Sequence, residues 1–337
     1  MKTNRYARQM VFPEIGEAGQ ARLKRSTAII IGCGALGTIS ASLLTRAGVG
    51  KIRIIDRDFI EFHNLQRQVL FDEEDIRLNL PKAIAAEKHL KKVNSEIEIE
   101  GIAADVNPAN IEKLVAGADV ILDGLDNFET RFLINDVALK LNIPWIYGGA
   151  LASQGMSLTI IPHRTACYRC IVPGTTSGGL AFTCDTAGVI SPAPGIVANV
   201  QTAEALKILV GSDQINRNLL VFDVWENNYS LLQVKANPDC PACLGLYEFL
   251  DGKFGTRTTS LCGQNAVQVL PAHKTDISLS ELAGRLKSAG EVTFNDFLLI
   301  FTTDSSQIMV FPDARAIIRN TDDEVYARGL YAKYIGA

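Results

Sequence analysis

Thr27-Ala28-Ile29-Ile30-Ile31-Gly32-Cys33-Gly34-Ala35-Leu36-Gly37 is the stretch on which the reading of this chain turns. The run Ala28 to Ile31 is apolar without alternation, the pattern of a parallel strand buried on both faces. It opens into three glycines and an Ala/Leu/Ser-rich segment ending near Gly48, so strand, tight turn and helix follow one another. A second apolar strand, Ile52 to Ile55, ends in Asp56, about 20 residues past the turn, where an acidic side chain reaches a ribose hydroxyl. Gly32 suits the tight turn, Gly34 admits a phosphate without a Cβ in the way, and Gly37 lets the helix pack close to the strand. The free N–H groups at the helix start point at the same place. The unit is expected to bind a nucleotide; the competing reading is a bare strand-to-helix turn. A polar, basic run past the second strand, His63-Asn64-Leu65-Gln66-Arg67-Gln68, has no job in an ordinary nicotinamide dehydrogenase.

Working outward, the alternation continues: strand Ile97 to Ile102, helix Pro108 to Val115, strand Val120 to Leu122, helix Phe128 to Leu141, strand Pro144 to Tyr147. This predicts an α/β fold with a Rossmann-like, doubly wound, mainly parallel sheet. Ligands of such sheets sit beyond the carboxyl ends of the strands, where Asp123-Gly124-Leu125-Asp126-Asn127 falls. Asp126 is expected to face the nucleotide, unless one of the aspartates merely caps the next helix. Lys82, after Pro81, falls in a first helical turn, where a cation opposes the helix dipole; if not solvated, it needs an anion such as a phosphate. Residues 1–26 read as a polar, solvated arm containing Arg5-Tyr6-Ala7-Arg8-Gln9. Further on come a Gly/Ser/Thr run after Pro173, an apolar helix from Ile196 to Val210, and strands Leu219 to Val224 and Tyr229 to Val234.

Two domains are expected, 1–250 and 256–337, joined by a Gly/Thr-rich linker from Asp251 to Ser260. The second reads as a small α+β module: a helix capped at Ser278, a three-stranded meander over Phe297 to Thr302, Gln307 to Phe311 and Arg315 to Ile318, and a last helix capped at Thr321. It carries no catalytic constellation and is expected to be an accessory unit.

The chain is 47% hydrophobic and 21% charged, with no apolar stretch of bilayer length and no apolar segment at its start, so a cytoplasmic location without a membrane role is expected. A net charge of −4 and a pI near 5.7 argue against a nucleic-acid surface. Four of the seven cysteines pair as Cys167-x-x-Cys170 and Cys240-x-x-Cys243, a set able to hold zinc in a closed, structural, tetrahedral site that ties distant segments together. Redox-active dithiols are the alternative.

Arg5-Tyr6-x-Arg8-Gln9, the glycine turn, Asn64-Leu65-Gln66-Arg67-Gln68, Pro81-Lys82, Asp123-x-x-Asp126-Asn127, both cysteine pairs and Thr183-Cys184-x-x-Ala187-Gly188 together resemble the ThiF/MoeB adenylyltransferases, relatives of the ubiquitin-activating enzymes. The resemblance implies ATP-dependent adenylation of the C-terminal glycine of a small ubiquitin-like sulfur-carrier protein, with pyrophosphate released. It implies Asp56 on the ribose, Asn64, Arg67 and Lys82 on the phosphates, and Asp126 as the magnesium-linked residue. It makes Arg8 an arginine finger that a partner subunit of a homodimer supplies, and Cys167, Cys170, Cys240 and Cys243 structural zinc ligands. Cys184 becomes a candidate nucleophile toward the activated carrier, with a sulfur donor of the cysteine-desulfurase type as a further partner. Ala35 departs from the pattern, since many relatives carry another glycine there. The C-terminal module resembles an extension of some ThiF-like proteins and favours a ThiS-like carrier of thiamin-thiazole synthesis over a MoaD-like carrier of molybdopterin synthesis. Two other classes remain: a nicotinamide-dependent oxidoreductase, which leaves Arg67, Lys82 and Asp126 idle, and a zinc-stabilised scaffold without catalysis.

Overall fold

The computed structural model describes residues 4–172, 188–253, 258–261, 265–270, 277–287, 289–303 and 306–335. The run from Pro173 to Gly179 and Cys184 lie outside the described residues. The chain divides into two compact units, Met1–Phe254 and Gly255–Ala337.

In the first unit the order is α1 (Ala7–Met10), α2 (Gly16–Leu23), β1 (Thr27–Ile31), α3 (Ala35–Ala47), β2 (Lys51–Asp56), α4 (Glu73–Arg77), α5 (Lys82–Val93), β3 (Glu98–Ala103), α6 (Ile111–Val115), β4 (Val120–Asp123) and α7 (Phe128–Leu141). It continues with β5 (Trp145–Leu151), β6 (Gln154–Ile160), α8 (Tyr168–Ile171), α9 (Pro192–Val210), β7 (Leu219–Asp223) and β8 (Asn228–Leu232). The strands form one eight-stranded sheet in the order β3-β2-β1-β4-β5-β6-β7-β8. The pairings from β3 through β5 are parallel, and β6, β7 and β8 join antiparallel. Strand order reverses between β1 and β4, so the crevice of a doubly wound sheet opens beyond their carboxyl ends.

Successive residues of β1 serve opposite layers, as the uninterrupted apolar run requires. Ala28 and Ile30 pack with Leu44 of α3, Leu90 of α5 and Leu209 of α9, whereas Ile29 and Ile31 pack with Val115 of α6 and Val137 of α7. The unbroken Ala28–Ile31 run is thus the seam between two helical layers.

The second unit is a six-stranded antiparallel sheet, wider than the expected meander of three. Its order is β11-β12-β13-β14-β10-β9, from β9 (Thr258–Leu261), β10 (Ala266–Val269), β11 (Glu291–Phe294), β12 (Leu299–Thr302), β13 (Gln307–Val310) and β14 (Ala316–Arg319). Two helices, α10 (Leu279–Leu286) and α11 (Glu324–Tyr334), complete it, with Leu282, Leu286 and Tyr331 in one core with Phe301 and Ile308. The expected linker therefore contains a strand: Thr258 to Leu261 pairs with Ala266 to Val269, a match that the short, mostly polar run Thr258 to Leu261 does not announce locally. Ser278 caps α10 as expected, but Asp323 rather than Thr321 caps α11, accepting from the N–H groups of Val325 and Tyr326.

The start of the chain is a docked segment, not the solvated arm expected from its polarity. Arg5 donates to the Val93 carbonyl at 2.8 Å, Asn94 Nδ2 to the Tyr6 hydroxyl at 2.9 Å, and Gln9 Nε2 to the Ala47 carbonyl at 2.9 Å. Its polar groups satisfy the carboxyl-terminal ends of α3 and α5, which explains why a packed segment reads as hydrophilic.

Candidate active site

Three glycines bring the ends of β1, β4 and α3 together. Gly32 has φ +93°, and a Cβ there would lie 2.5 Å from the carbonyl carbon and oxygen of Gly124. A Cβ on Gly37 would lie 2.0 Å from the Gly32 oxygen, and one on Gly124 2.2 Å from it. Gly34 is different: the nearest protein atom to its Cβ position is 3.7 Å away, which leaves the open cradle a phosphate requires. Gly34 is also the N-cap of α3, and no side chain caps that helix, so its first-turn N–H groups remain free of side-chain acceptors. Beside the cradle, Gln68 is buried, with its Nε2 3.9 Å from the Gly34 Cβ position and its Oε1 without a hydrogen-bond partner among the described residues. An orphaned buried oxygen beside an open glycine turn fits a polar ligand there.

Asp56, at the end of β2, borders the glycine turn. One carboxylate oxygen accepts from the Cys33 N–H at 2.5 Å and the other from the Asp58 N–H at 2.7 Å. Burial raises its pKa and Asp58 adds to the rise, while Lys82 opposes them. Lys82 itself is buried at the start of α5, with Nζ 3.1 Å from Asp58 Oδ2. Burial alone would lower its pKa, but Asp58 and Asp56 overcome this and hold the ammonium above the ordinary lysine value. The anion that Lys82 requires at a helix N-terminus is therefore supplied by the protein in the form of Asp58, which the expectation of a phosphate partner missed. Arg57 pairs with Asp105 at 2.8 Å, and Asp126 lies within electrostatic reach of both Arg57 and Lys82.

The loop after β4 is rigidly braced. Asp123, fully buried, accepts from the Leu125 N–H at 2.8 Å and from Arg131 Nε at 2.9 Å. Arg131 also donates to the carbonyls of Leu125 and Gly148, and Gln201 of α9 donates to the Asp123 carbonyl. The cap of α7 is Asn127, whose side chain accepts from the Thr130 N–H. Asp126 is thus released from capping: it is exposed and forms no side-chain hydrogen bond or ion pair among the described residues. A solvent-facing carboxylate held on a braced loop fits a divalent cation such as magnesium.

The remaining candidates fall in three places. Asn64 is buried and accepts from the Glu61 N–H at 3.0 Å, while Arg67 donates to the His63 carbonyl at 2.7 Å, so both shape the single helical turn at Phe62–Asn64. Arg8 is exposed on α1, between Tyr6 and Gln9, both of which contact the carboxyl-terminal end of α3. That helix has 13 residues, about 20 Å of rise, which separates Arg8 from the glycine turn of its own chain. The four cysteines do converge. Sγ–Sγ distances are 3.6 Å for Cys167–Cys170, Cys167–Cys240 and Cys170–Cys243, and all four sulfurs lie within 4.8 Å of one another. Tetrahedral zinc with Zn–S near 2.3 Å calls for sulfurs about 3.8 Å apart, so the set fits that ion. A second cluster, Asp72, Asp75 and His89, is already accounted for by the α4 capping box and a 2.8 Å His89–Asp75 pair.

Sequence reasoning did not single out Asp58, Gln68, Gly124, Arg131 or Gln201. Gly124 carried a signal, a glycine ending a buried strand beside a second glycine turn. Arg131 and Gln201 carried none, because their partners are reached only across the fold.

The ThiF family model matches residues 6–242. The chain belongs to the ThiF family. Among its relatives, the sulfur carrier protein ThiS adenylyltransferase of Bacillus subtilis is 42% identical over 99% of this chain and 100% of its own length. The SAMP-activating enzyme E1 of Haloferax volcanii is 35% identical over 71% of this chain and 88% of its own. A solved structure of E. coli MccB with ATP superposes with a TM-score of 0.62 at 26% identity, over 72% of this chain and 75% of that one. The ThiF-family match spans the glycine turn, the braced loop and three of the four clustered cysteines, Cys243 falling one residue beyond it.

Proposed function

We infer that this chain is an adenylyltransferase that uses ATP to activate the C-terminal carboxylate of a small ubiquitin-like sulfur-carrier protein, of the ThiS-like kind that serves thiamin-thiazole synthesis. The full-length likeness to the B. subtilis relative of that name carries this reading. The site supplies the chemistry. A carboxylate oxygen attacks the α-phosphorus, the bond to the bridging oxygen breaks and pyrophosphate leaves. Two anions must meet, so the need is for cations and fixed N–H groups, not a general base, because a carboxylate is already ionised at neutral pH. Lys82 and the start of α3 face the phosphates, Asp56 orients the ribose, and Asn64 and Arg67 shape and charge the rim. Asp126 would hold magnesium, which would supply positive charge to offset the charge that builds on the departing pyrophosphate. Zinc on Cys167, Cys170, Cys240 and Cys243 has a structural part.

The enzyme is cytoplasmic and a homodimer in this reading, with Arg8 serving the partner's site. Among the described residues no helix is long and apolar enough to cross a membrane. Residues 1–250 form the catalytic domain and 256–337 an accessory domain. The Cys184 thiolate attacks the carbonyl carbon of the acyl-adenylate, the acyl–oxygen bond to the phosphate breaks and AMP leaves, giving a thioester, or an acyl disulfide when a cysteine desulfurase has first persulfurated the cysteine and its outer sulfur attacks.

The test is ATP–pyrophosphate exchange with magnesium and purified carriers. Exchange that depends on a ThiS-like carrier is expected; exchange with a MoaD-like carrier alone moves the enzyme to the molybdopterin branch, and none with either overturns the reading.

A further inference from the structure

Lys82 is a buried cation beside the glycine turn, and one residue holds both its backbone and its charge. The Lys82 N–H donates to the Asp58 carbonyl at 2.9 Å, and its Nζ lies 3.1 Å from Asp58 Oδ2. Asp58 is itself tied to Asp56, since its N–H donates to Asp56 Oδ1 at 2.7 Å. An antiparallel bridge between Phe59 and Pro81 keeps the two segments side by side. Asp58 therefore joins the residue that orients the ribose to the residue that meets the phosphates.

We propose that Asp58 is the positioning residue for Lys82, its carboxylate fixing the ammonium beside the glycine turn and its N–H fixing that arrangement to Asp56. The inference deepens the adenylyltransferase reading and rests on it. A lysine is a point charge on a flexible four-carbon stem, and ordering it against a phosphate costs rotamer entropy. Asp58 meets that cost during folding, leaving the cation ordered before any nucleotide arrives. The charged and titratable groups that act on Lys82 include Asp56 and Asp58 after β2, Asp126 after β4 and Cys33 in the glycine turn, and the other oxygen of Asp58, Oδ1, lies 3.7 Å from Arg57 Nε. Of these, Asp58 is the one within hydrogen-bond distance of Nζ among the described residues. The Asp58 side chain is 35% exposed, so a neutral replacement is solvated rather than stranded.

Calorimetric binding of ATP and of adenosine to the wild-type chain, Asp58→Asn, Lys82→Ala and the double variant tests this. Asp58→Asn is expected to weaken ATP by about tenfold or more while changing adenosine less than about twofold, since adenosine makes no use of Lys82. In the Lys82→Ala background, Asp58→Asn is expected to change ATP affinity by less than about twofold, because its effect runs through Lys82. Losses that multiply in the double variant overturn the proposal, as do equal losses for both ligands. Tighter ATP binding by Asp58→Asn also overturns it, because Asp58 would then be competing with phosphate. If Asp58→Asn lacks a cooperative unfolding transition, Asp58→Ser takes its place in the same cycle. A wild-type chain that binds ATP but supports no carrier-dependent exchange overturns the adenylyltransferase reading, while the binding cycle still decides the role of Asp58.

Discussion

Asp126 stands on a loop that Asp123, Arg131 and Gln201 lock from below, and its own carboxylate is left to solvent. Removing its charge while keeping its shape separates metal holding from architecture. Asp126→Asn is expected to cut carrier-dependent pyrophosphate exchange by at least about 100-fold with the melting temperature unchanged. Near-normal exchange would remove the residue from the mechanism. The place of Asp126 just past a buried strand was legible, whereas its freedom from capping was not, and it is Asn127 that takes the capping role. Asp58 was not legible. It stands two residues from Asp56 and 24 from Lys82, and local pattern carries no information about a contact of that separation.

At the scale of elements, α7 ties the region of the clustered cysteines to the sheet. Asn135 accepts from the Tyr168 N–H at 2.9 Å, and Asp136 Oδ2 accepts from the N–H groups of Phe249 and Leu250. Burial pushes the Asp136 carboxyl up to about 6, against the pull of those two donors. Its folded form thus binds a proton more tightly than an unfolded aspartate, whose pKa is about 3.9. Stability from this group is present below about pH 4 and is lost as pH rises through about 6. Asp136→Asn lacks that slope, so the variant should gain on the wild type between pH 4.5 and 7.5 in denaturant titrations, by up to roughly 2 kcal/mol. Parallel curves for the two proteins would place the titration elsewhere. The cysteine cluster invites a direct measurement: about one zinc per chain in freshly reduced protein is expected. Cys240→Ser is expected to lower the melting temperature, with the remaining folded fraction still exchanging pyrophosphate. The paired spacing made this cluster readable, whereas strand Thr258–Leu261 hid inside a Gly/Thr-rich run because pairing with β10, not its own composition, makes it a strand.

At the scale of the whole molecule, the docked N-terminal segment fixes where Arg8 can act. Its neighbours Tyr6 and Gln9 grip the far end of α3, so the segment that carries Arg8 is docked at the opposite end of that helix from the glycine turn. Arg8→Ala chains and Asp126→Asn chains are each expected to be inactive alone. Mixed one to one under subunit exchange, they should recover about a quarter of wild-type exchange, since half the dimers pair one chain of each kind and only one of their two sites is complete. No recovery, with exchange of subunits demonstrated, would confine Arg8 to its own chain. The doubly wound half of the molecule was readable because periodicity and glycine placement are local. Strands Leu219–Asp223 and Asn228–Leu232 were expected as strands, but the antiparallel pairing of β6 to β8 and the docking of residues 5–9 depend on contacts far apart in the chain.

The contact among Gly32, Gly37 and Gly124 bears on what heredity can do with this protein. At each position an added methyl group would strike main-chain atoms, at 2.5, 2.0 and 2.2 Å respectively, and never a side chain that a second change could shrink. A laboratory selection that starts from Gly124→Ala and demands restored growth should therefore return true revertants and no suppressors within the chain. For this small knot of backbone, drift has no detour.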